Sequence, residues 1–279
     1  MAVLVAGAGP VVDPGGGGGG SSETALSRIQ AAYQAGDFAA YWGISDELMY
    51  TAVSRDVTLP SSAGGTAIMP DKAAFSGDET VSDYVARLGL TGRADTVLPG
   101  FVGYQEQGTF EPNMIQAGLQ PTQLENGNTD ENLRIRSGFS GSSAHTIVVA
   151  LRTNDTDFVA GVSDTGTTRY AGRVRNSGSA ANANIGTPSY RVDGMDVAGS
   201  LANNLYATGL NDFGWHVFTI EGMDLSTWNG DMIIGGFAVG ASGLNMDGSL
   251  AYVAIFPDDA TTRDLAEAEA GALVGVQIG

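Results

Sequence analysis

The chain has 279 residues, 43% of them hydrophobic and only 16% charged, with 41 glycines and no cysteine. That length buries a substantial core in one domain, and the missing thiols exclude disulfides, cysteine-bound metals and thiol catalysis. The net charge of −18 comes from 13 basic against 31 acidic residues. It disfavours direct nucleic-acid binding, and it repels anionic membranes and acidic polysaccharides unless a divalent cation intervenes. After Asn176 the only basic residues are Arg191 and Arg263, so the acidic excess is concentrated in the C-terminal part.

In chain order, residues 1–22 read as a flexible Gly-rich segment: an apolar Ala2–Val5, a Pro/Gly break, then Gly15–Gly20. Such a segment is either a disordered tail or an anchor in which Val3, Leu4 and Val5 add a strand to a neighbouring subunit's sheet. Its start lacks the positive region of a signal peptide, and no run in the chain approaches a transmembrane length. Residues 23–36 predict a helix capped by Ser22 and stopped by Gly36, with Ala25, Leu26, Ile29, Ala32 and Tyr33 on one face. Leu26, Ile29 and Tyr33 are then candidates for a subunit contact, or for packing on their own domain. The third unit is 37–279, with an irregular insertion at 76–126. There Thr80–Leu88 has a helical stripe, and Phe101–Tyr104 and Phe110 fit short strands.

From Leu133 a period of two sets in, with Leu133 and Ile135 alternating against Arg134 and Arg136. His145–Thr153 is a nearly continuous apolar run, which predicts a central strand buried on both faces. Tyr170 and Val174 alternate against Arg169, Arg173 and Arg175. Asp193-Gly194 supplies the positive φ values of a two-residue hairpin turn. Trp215–Ile220, Met232–Val239 and Ser249–Phe256, broken by Gly, Asn, Asp and Ser, read as an antiparallel meander. Thr261–Leu273 predicts a terminal helix capped by Thr261 or Thr262, with Leu265, Ala268 and Leu273 as its apolar stripe. The fold class is therefore all-β, two stacked sheets with one short helix at each end.

Three stretches carry a resemblance: Gly214–Gly230 (GWHVFTIEGMDLSTWNG), the strand IIGGFAVG that starts at Ile233, and Gly248–Glu269 (GSLAYVAIFPDDATTRDLAEAE). With them, residues 133–273 resemble the concanavalin A-like, laminin-G-like jelly roll of tailed-phage or gene-transfer-agent virion structural proteins. Upstream, AAYWGISDELMYTAVSRD, Thr58–Pro60 and Pro70–Lys72 follow the order in which such proteins open this domain, with Ala73 and Ala74 where the family carries a glycine. A second departure is that Trp215-His216 follows Asp193-Gly194, whereas many laminin-G modules have the reverse order. The resemblance implies a virion location, on capsid or tail, for a spike, fibre or decoration subunit made in the host cytoplasm. It also implies a homo-oligomer, a trimer or alternatively a pentamer, joined to other virion subunits through its N-terminus. The sandwich would display a lectin-like surface to bacterial polysaccharide, or alternatively brace neighbours as cement or a tail adaptor.

Glycosidases on such sandwiches place two carboxyls roughly 5–5.5 Å apart on one strand. No Glu-x-Asp-x-Glu or Glu-x-Asp-x-x-Glu occurs here, and no G-x-S-x-G elbow accompanies His145 or His216. A secreted carbohydrate-active enzyme is the least favoured reading, and the expectation is a non-enzymatic protein. Tyr206 with Asn203 and Asn204, together with Tyr190 and Trp228, are the candidate glycan contacts, because a flat apolar ring beside polar groups grips a sugar. No cofactor is expected other than calcium, for which the loop oxygens of Asn154, Asp155 and Asp157 are candidate ligands. His216, beside Trp215, is expected to be structural.

Overall fold

The computed structural model describes residues 23–43, 50–51, 54–58, 66–70, 72–77, 79, 101–105, 122–124, 132–135, 144–153, 156–164, 169–226, 228, 232–234 and 248–279. Within them the chain is mostly antiparallel strand with a few helices, an all-β fold. The N-terminal half contributes β1 (Ala40–Gly43), β2 (Tyr50–Thr51), β3 (Ser54–Thr58), β4 (Thr66–Pro70), β5 (Phe101–Gln105), β6 (Thr122–Leu124) and β7 (Asn132–Ile135). The C-terminal half contributes β8 (Ala144–Thr153), β9 (Phe158–Asp164), β10 (Tyr170–Val174), β11 (Ser189–Val192), β12 (Met195–Val197), β13 (His216–Asp224), β14 (Met232–Ile234) and β15 (Gly248–Pro257). The helices are α1 (Ala25–Gln34), α2 (Ala202–Tyr206) and α3 (Ala260–Val274).

One sheet runs β1-β15-β8-β13-β11-β12, with β6 also on β15; the other runs β10-β9-β14-β7-β5-β4-β2-β3. β8 holds the middle of the first sheet, as its continuous apolar run predicts. Ile147 lies opposite Ile220 of β13 and Ile255 of β15, and Val149 opposite Phe218 and Val253. Alternation then sends Ile147, Val149 and Leu151 to one face and Val148 and Ala150 to the other. The first face meets Val162 of β9, Ala171 and Val174 of β10, and Met232 and Ile234 of β14, so the larger core lies between the two sheets. Gly161 of β9 and Gly172 of β10 make that approach possible. A Cβ on Gly161 would run into Ile220 Cδ1 and the Ala171 carbonyl, and one on Gly172 would sit 2.8 Å from both Ile220 Cδ1 and Phe218 Cε1.

The second face is covered by α1 and α3. Thr24 caps α1, its Oγ1 accepting from Ser27 N while Ser27 Oγ accepts from Thr24 N, both at 3.1 Å. This reciprocal pair takes the capping role that the sequence assigned to Ser22. Ile29 is fully buried in the core beneath the helix, worth about 1.5–3 kcal/mol. Its side chain therefore packs on its own domain and is not open to a second subunit. Tyr33 packs half-buried against the same cluster, and Leu26 is half-buried.

Several expectations need correction. The three ribbons read as a meander do not pair with one another: β8 lies between β13 and β15, and β14 sits in the opposite sheet between β7 and β9. The intervening segments are long enough to cross between layers, and local sequence does not specify the crossing. Tyr170 and Val174 do not share a face by simple alternation either. A register shift between Ala171 and Arg173, where β9 carries the extra residue opposite Gly172 (φ +83°), breaks the alternation, so Ala171 and Val174 both enter the core while Tyr170 stays half-buried. α3 is capped by Asp259, whose Oδ2 accepts from Thr262 N at 2.9 Å, and not by Thr261 or Thr262. Its buried face is Thr262, Ala266, Glu267, Ala270 and Gly271, with Ala268 exposed, because small residues let the helix lie close to the sheet. The expected helix over Thr80–Leu88, Phe110, and the Val3–Val5 anchor lie outside the described residues.

Candidate binding surface before β13

The segment from Asn211 to Trp215 carries one of the two non-glycine residues with positive φ among the described residues. It follows the buried Leu210 and enters β13 beside the end of β8. Phe213 N donates to Thr153 O at 2.9 Å, and Gly214 N donates to Asp212 Oδ1 at 2.6 Å. Between these bonds Phe213 sits at φ +63°, in the left-handed region that bulky residues avoid, and its side chain is 44% exposed. A strained residue held by its neighbours, presenting an apolar ring to water, is a reason to look for a contact there.

Arg152 of β8 lies beside it, its guanidinium carbon 5.0 Å from the Phe213 ring centre and 5.2 Å from that of Trp215. Both separations fall within cation–π range. Trp215 is half-buried, one part packed on the core beneath the helices. Two aromatic rings and a guanidinium plane thus form a stiff surface cluster, and the mostly exposed Asp212 carboxylate stands next to it.

His216 ties this cluster to the β11–β12 hairpin. Its Nδ1 is 2.9 Å from Asp193 Oδ2, and its Nε2 is 3.2 Å from Asp212 Oδ1. Asp193 also accepts from Val217 N at 2.8 Å. Asp193 (φ +53°) and Gly194 (φ +80°) make the two-residue turn expected from sequence. The hydrogen bond and charge of Asp193, then those of Asp212, raise the His216 pKa above its ordinary 6.5 against the cost of burial. His145, by contrast, is fully buried with Nε2 3.1 Å from Phe38 O, and burial lowers its pKa.

The sequence-predicted contacts scatter. Tyr190 is 1% exposed, stacked on Phe218 at 6.1 Å inside the inter-sheet core, so its ring offers no face to a glycan. Trp228 is buried in the same core. Both belong to packing: alternation turns Tyr190 inward, and Trp228 follows Leu225 into the interior. Tyr206 is half-buried against that core, at the end of the short helix α2. Asn203 is exposed, and Asn204 donates to the Ala198 carbonyl. Of the candidate calcium ligands, Asn154 and Asp155 lie outside the described residues, and Asp157 pairs with Arg173 and Arg175 at 3.3 and 3.5 Å. Among the described residues no group of three or more His, Asp or Glu is arranged to hold a metal ion.

Phe213, Arg152 and Asp212 were not singled out from sequence. The signal was present: an aromatic placed among turn formers, Asn-Asp-Phe-Gly, where a core has no use for one. A concavity of about 370 Å³ opens between α1 and the start of α3. Its only guanidinium, Arg28, is already committed to Glu23 at 2.7 Å and Asp259 at 2.8 Å. Comparison of the chain with protein-family models, with curated proteins and with solved structures finds no match.

Proposed function

We propose that this chain is a non-enzymatic virion surface protein of the tailed-phage or gene-transfer-agent kind, a spike, fibre or decoration subunit that attaches to host-surface glycan. The observation that carries the glycan part is the Phe213–Arg152–Trp215 cluster, partly open to water and flanked by the Asp212 carboxylate. The apolar face of a sugar ring stacks on Phe213 while its hydroxyls donate to Asp212. With a net charge of −18, the preferred glycan is neutral and not acidic. The two facing antiparallel sheets, with helices on one outer face, are compatible with the concanavalin A-like jelly roll that residues 133–273 resemble. One stacked ring gives weak binding, and symmetric copies on a particle, three or five, convert it to avidity.

The test is a bacterial-polysaccharide array probed with the full chain displayed in many copies on beads. Binding to neutral glycans that drops about fivefold in Phe213→Ala supports the reading, since a stacking contact is worth about 1 kcal/mol. Silence across the array removes the glycan role and leaves a cement or adaptor subunit.

A further inference from the structure

The imidazole of His216 has a carboxylate on each side, from two different parts of the chain. Asp193 belongs to the β11–β12 turn and Asp212 to the segment that carries Phe213. A carboxylate can only accept, and a neutral imidazole has one N–H, so both contacts are hydrogen bonds only when the ring is protonated. The Asp193 side is the more firmly built: its other oxygen takes Val217 N, and its backbone N donates to Val217 O, both at 2.8 Å. Loss of the proton therefore opens the Asp212 side. There the turn is held by backbone-donated bonds, Asp212 N to Gly209 O at 2.9 Å, Phe213 N to Thr153 O at 2.9 Å and Gly214 N to Asp212 Oδ1 at 2.6 Å, and His216 supplies the link to the hairpin.

We propose that His216 is a positioning residue that acts as a proton-operated latch on the Asn211–Trp215 segment, clamping the Phe213 surface when protonated and releasing it when neutral. The charged groups around it are Asp193 on the hairpin and Asp212 on the segment itself; Arg152 on the adjoining β8 is engaged over the two aromatic rings. The sign follows from the partners. Opposite charge on both sides favours the imidazolium, so its folded-state pKa lies above the ordinary value. The clamp is then complete below the unfolded value and is lost as pH rises through the folded one. In terms of the function proposed above, this is regulation of the same surface: contact is firm on the acid side and loosens on the alkaline side.

The test is amide hydrogen exchange of the full chain, resolved for Phe213 and Gly214, at about pH 5.5 and about pH 9, corrected for intrinsic exchange. The latch predicts that protection of these two amides falls several-fold at the higher pH while amides of β8 do not change. In His216→Gln the pH step disappears, and in Asp193→Asn its midpoint moves to lower pH. Asp212→Asn, which leaves the hairpin side intact, also removes the step. Equal protection at the two pH values in the wild type, or a step that persists in His216→Gln, overturns the proposal. The readout involves no glycan, so a silent array and a failed latch are separate results.

Discussion

The two faces of the β8–β13–β15 ribbon are joined to their covers by different means. The inner face holds Ile147, Val149, Leu151, Phe218, Ile220, Val253 and Ile255, and these apolar side chains meet the second sheet at glycines where the backbones come close. The outer face holds Val148, Ala150, Val217, Ala254 and Phe256. There polar pins are driven through small residues. Glu267 of α3 takes Arg191 Nε at 2.9 Å and Thr219 Oγ1 at 2.8 Å. Glu269 takes the Tyr41 hydroxyl at 3.0 Å, the Tyr252 hydroxyl at 3.3 Å and the first N–H of α1, from Ala25, at 3.0 Å. Asp258 takes Thr146 Oγ1 at 2.6 Å. Sheet on sheet, shape suffices to fix the register. A helix with an Ala-rich face has too little hydrocarbon to choose one position, and the carboxylates choose it.

The largest expected effect falls on those pins. Glu267→Ala leaves the Arg191 guanidinium, about one-sixth exposed, without its buried partner, and should cost about 4 kcal/mol in urea-induced unfolding. The sharper test is the apolar replacement Arg191→Met with Glu267→Leu, which should recover most of that loss. Recovery would mean the pin gives position more than stability; no recovery would mean the outer face depends on charge outright.

On the inner face the counterpart is Gly172→Ala. The new Cβ meets Ile220 and Phe218 at 2.8 Å from a φ of +83°, and strain plus overpacking should cost about 3 kcal/mol. If the sheets separate easily and the cost is under about 1 kcal/mol, the claim of shape-determined packing fails.

Much of this architecture could be read from the chain. β8 as a doubly buried strand, the Asp193-Gly194 turn and the existence of α1 and α3 all follow from local period and turn chemistry, whereas period left Ile29 open to either a subunit contact or its own core. Three things were hidden. Strand partners were hidden because β13 and β15 both pair with β8, and pairing is decided by loops whose length does not state their destination. Faces were hidden wherever the register shifts, between Ala171 and Arg173, between Ile220 and Met223, and between Leu250 and Tyr252. Glu267 was hidden because a glutamate on an Ala-rich helix reads as a solvated charge until Arg191 and Thr219 are seen beneath it. At the candidate surface, size misled: Tyr190 and Trp228 drew attention as large rings, yet large rings fill interiors. Phe213, open to water, differs in its neighbours and not in its size.

The smallest expected effect is at the start of α3. The hydroxyl and backbone N–H of Thr262, then Arg28, hold the Asp259 carboxyl down at about 2. Its folded pKa is depressed, so its contribution is present above the ordinary 3.8 and is lost as pH falls through about 2. Asp259→Ala should cost about 1 kcal/mol at neutral pH. It should also flatten the decline in melting temperature between about pH 4 and about pH 2 relative to wild type. An unchanged acid decline would move the origin of that sensitivity to the other outer-face carboxylates.

The Ala25–Glu269 bond joins residues 244 positions apart, and this has a bearing on synthesis. A ribosome delivers α1 and β8 long before it delivers α3 and β15, so the earliest helix has nowhere to dock and the middle strand of the first sheet keeps a bare edge until the last segments emerge. Docking of α1 thus waits for α3, and a copy stopped before β15 and α3 would expose hydrogen-bonding edge and apolar surface together, marking itself for chaperones and proteases.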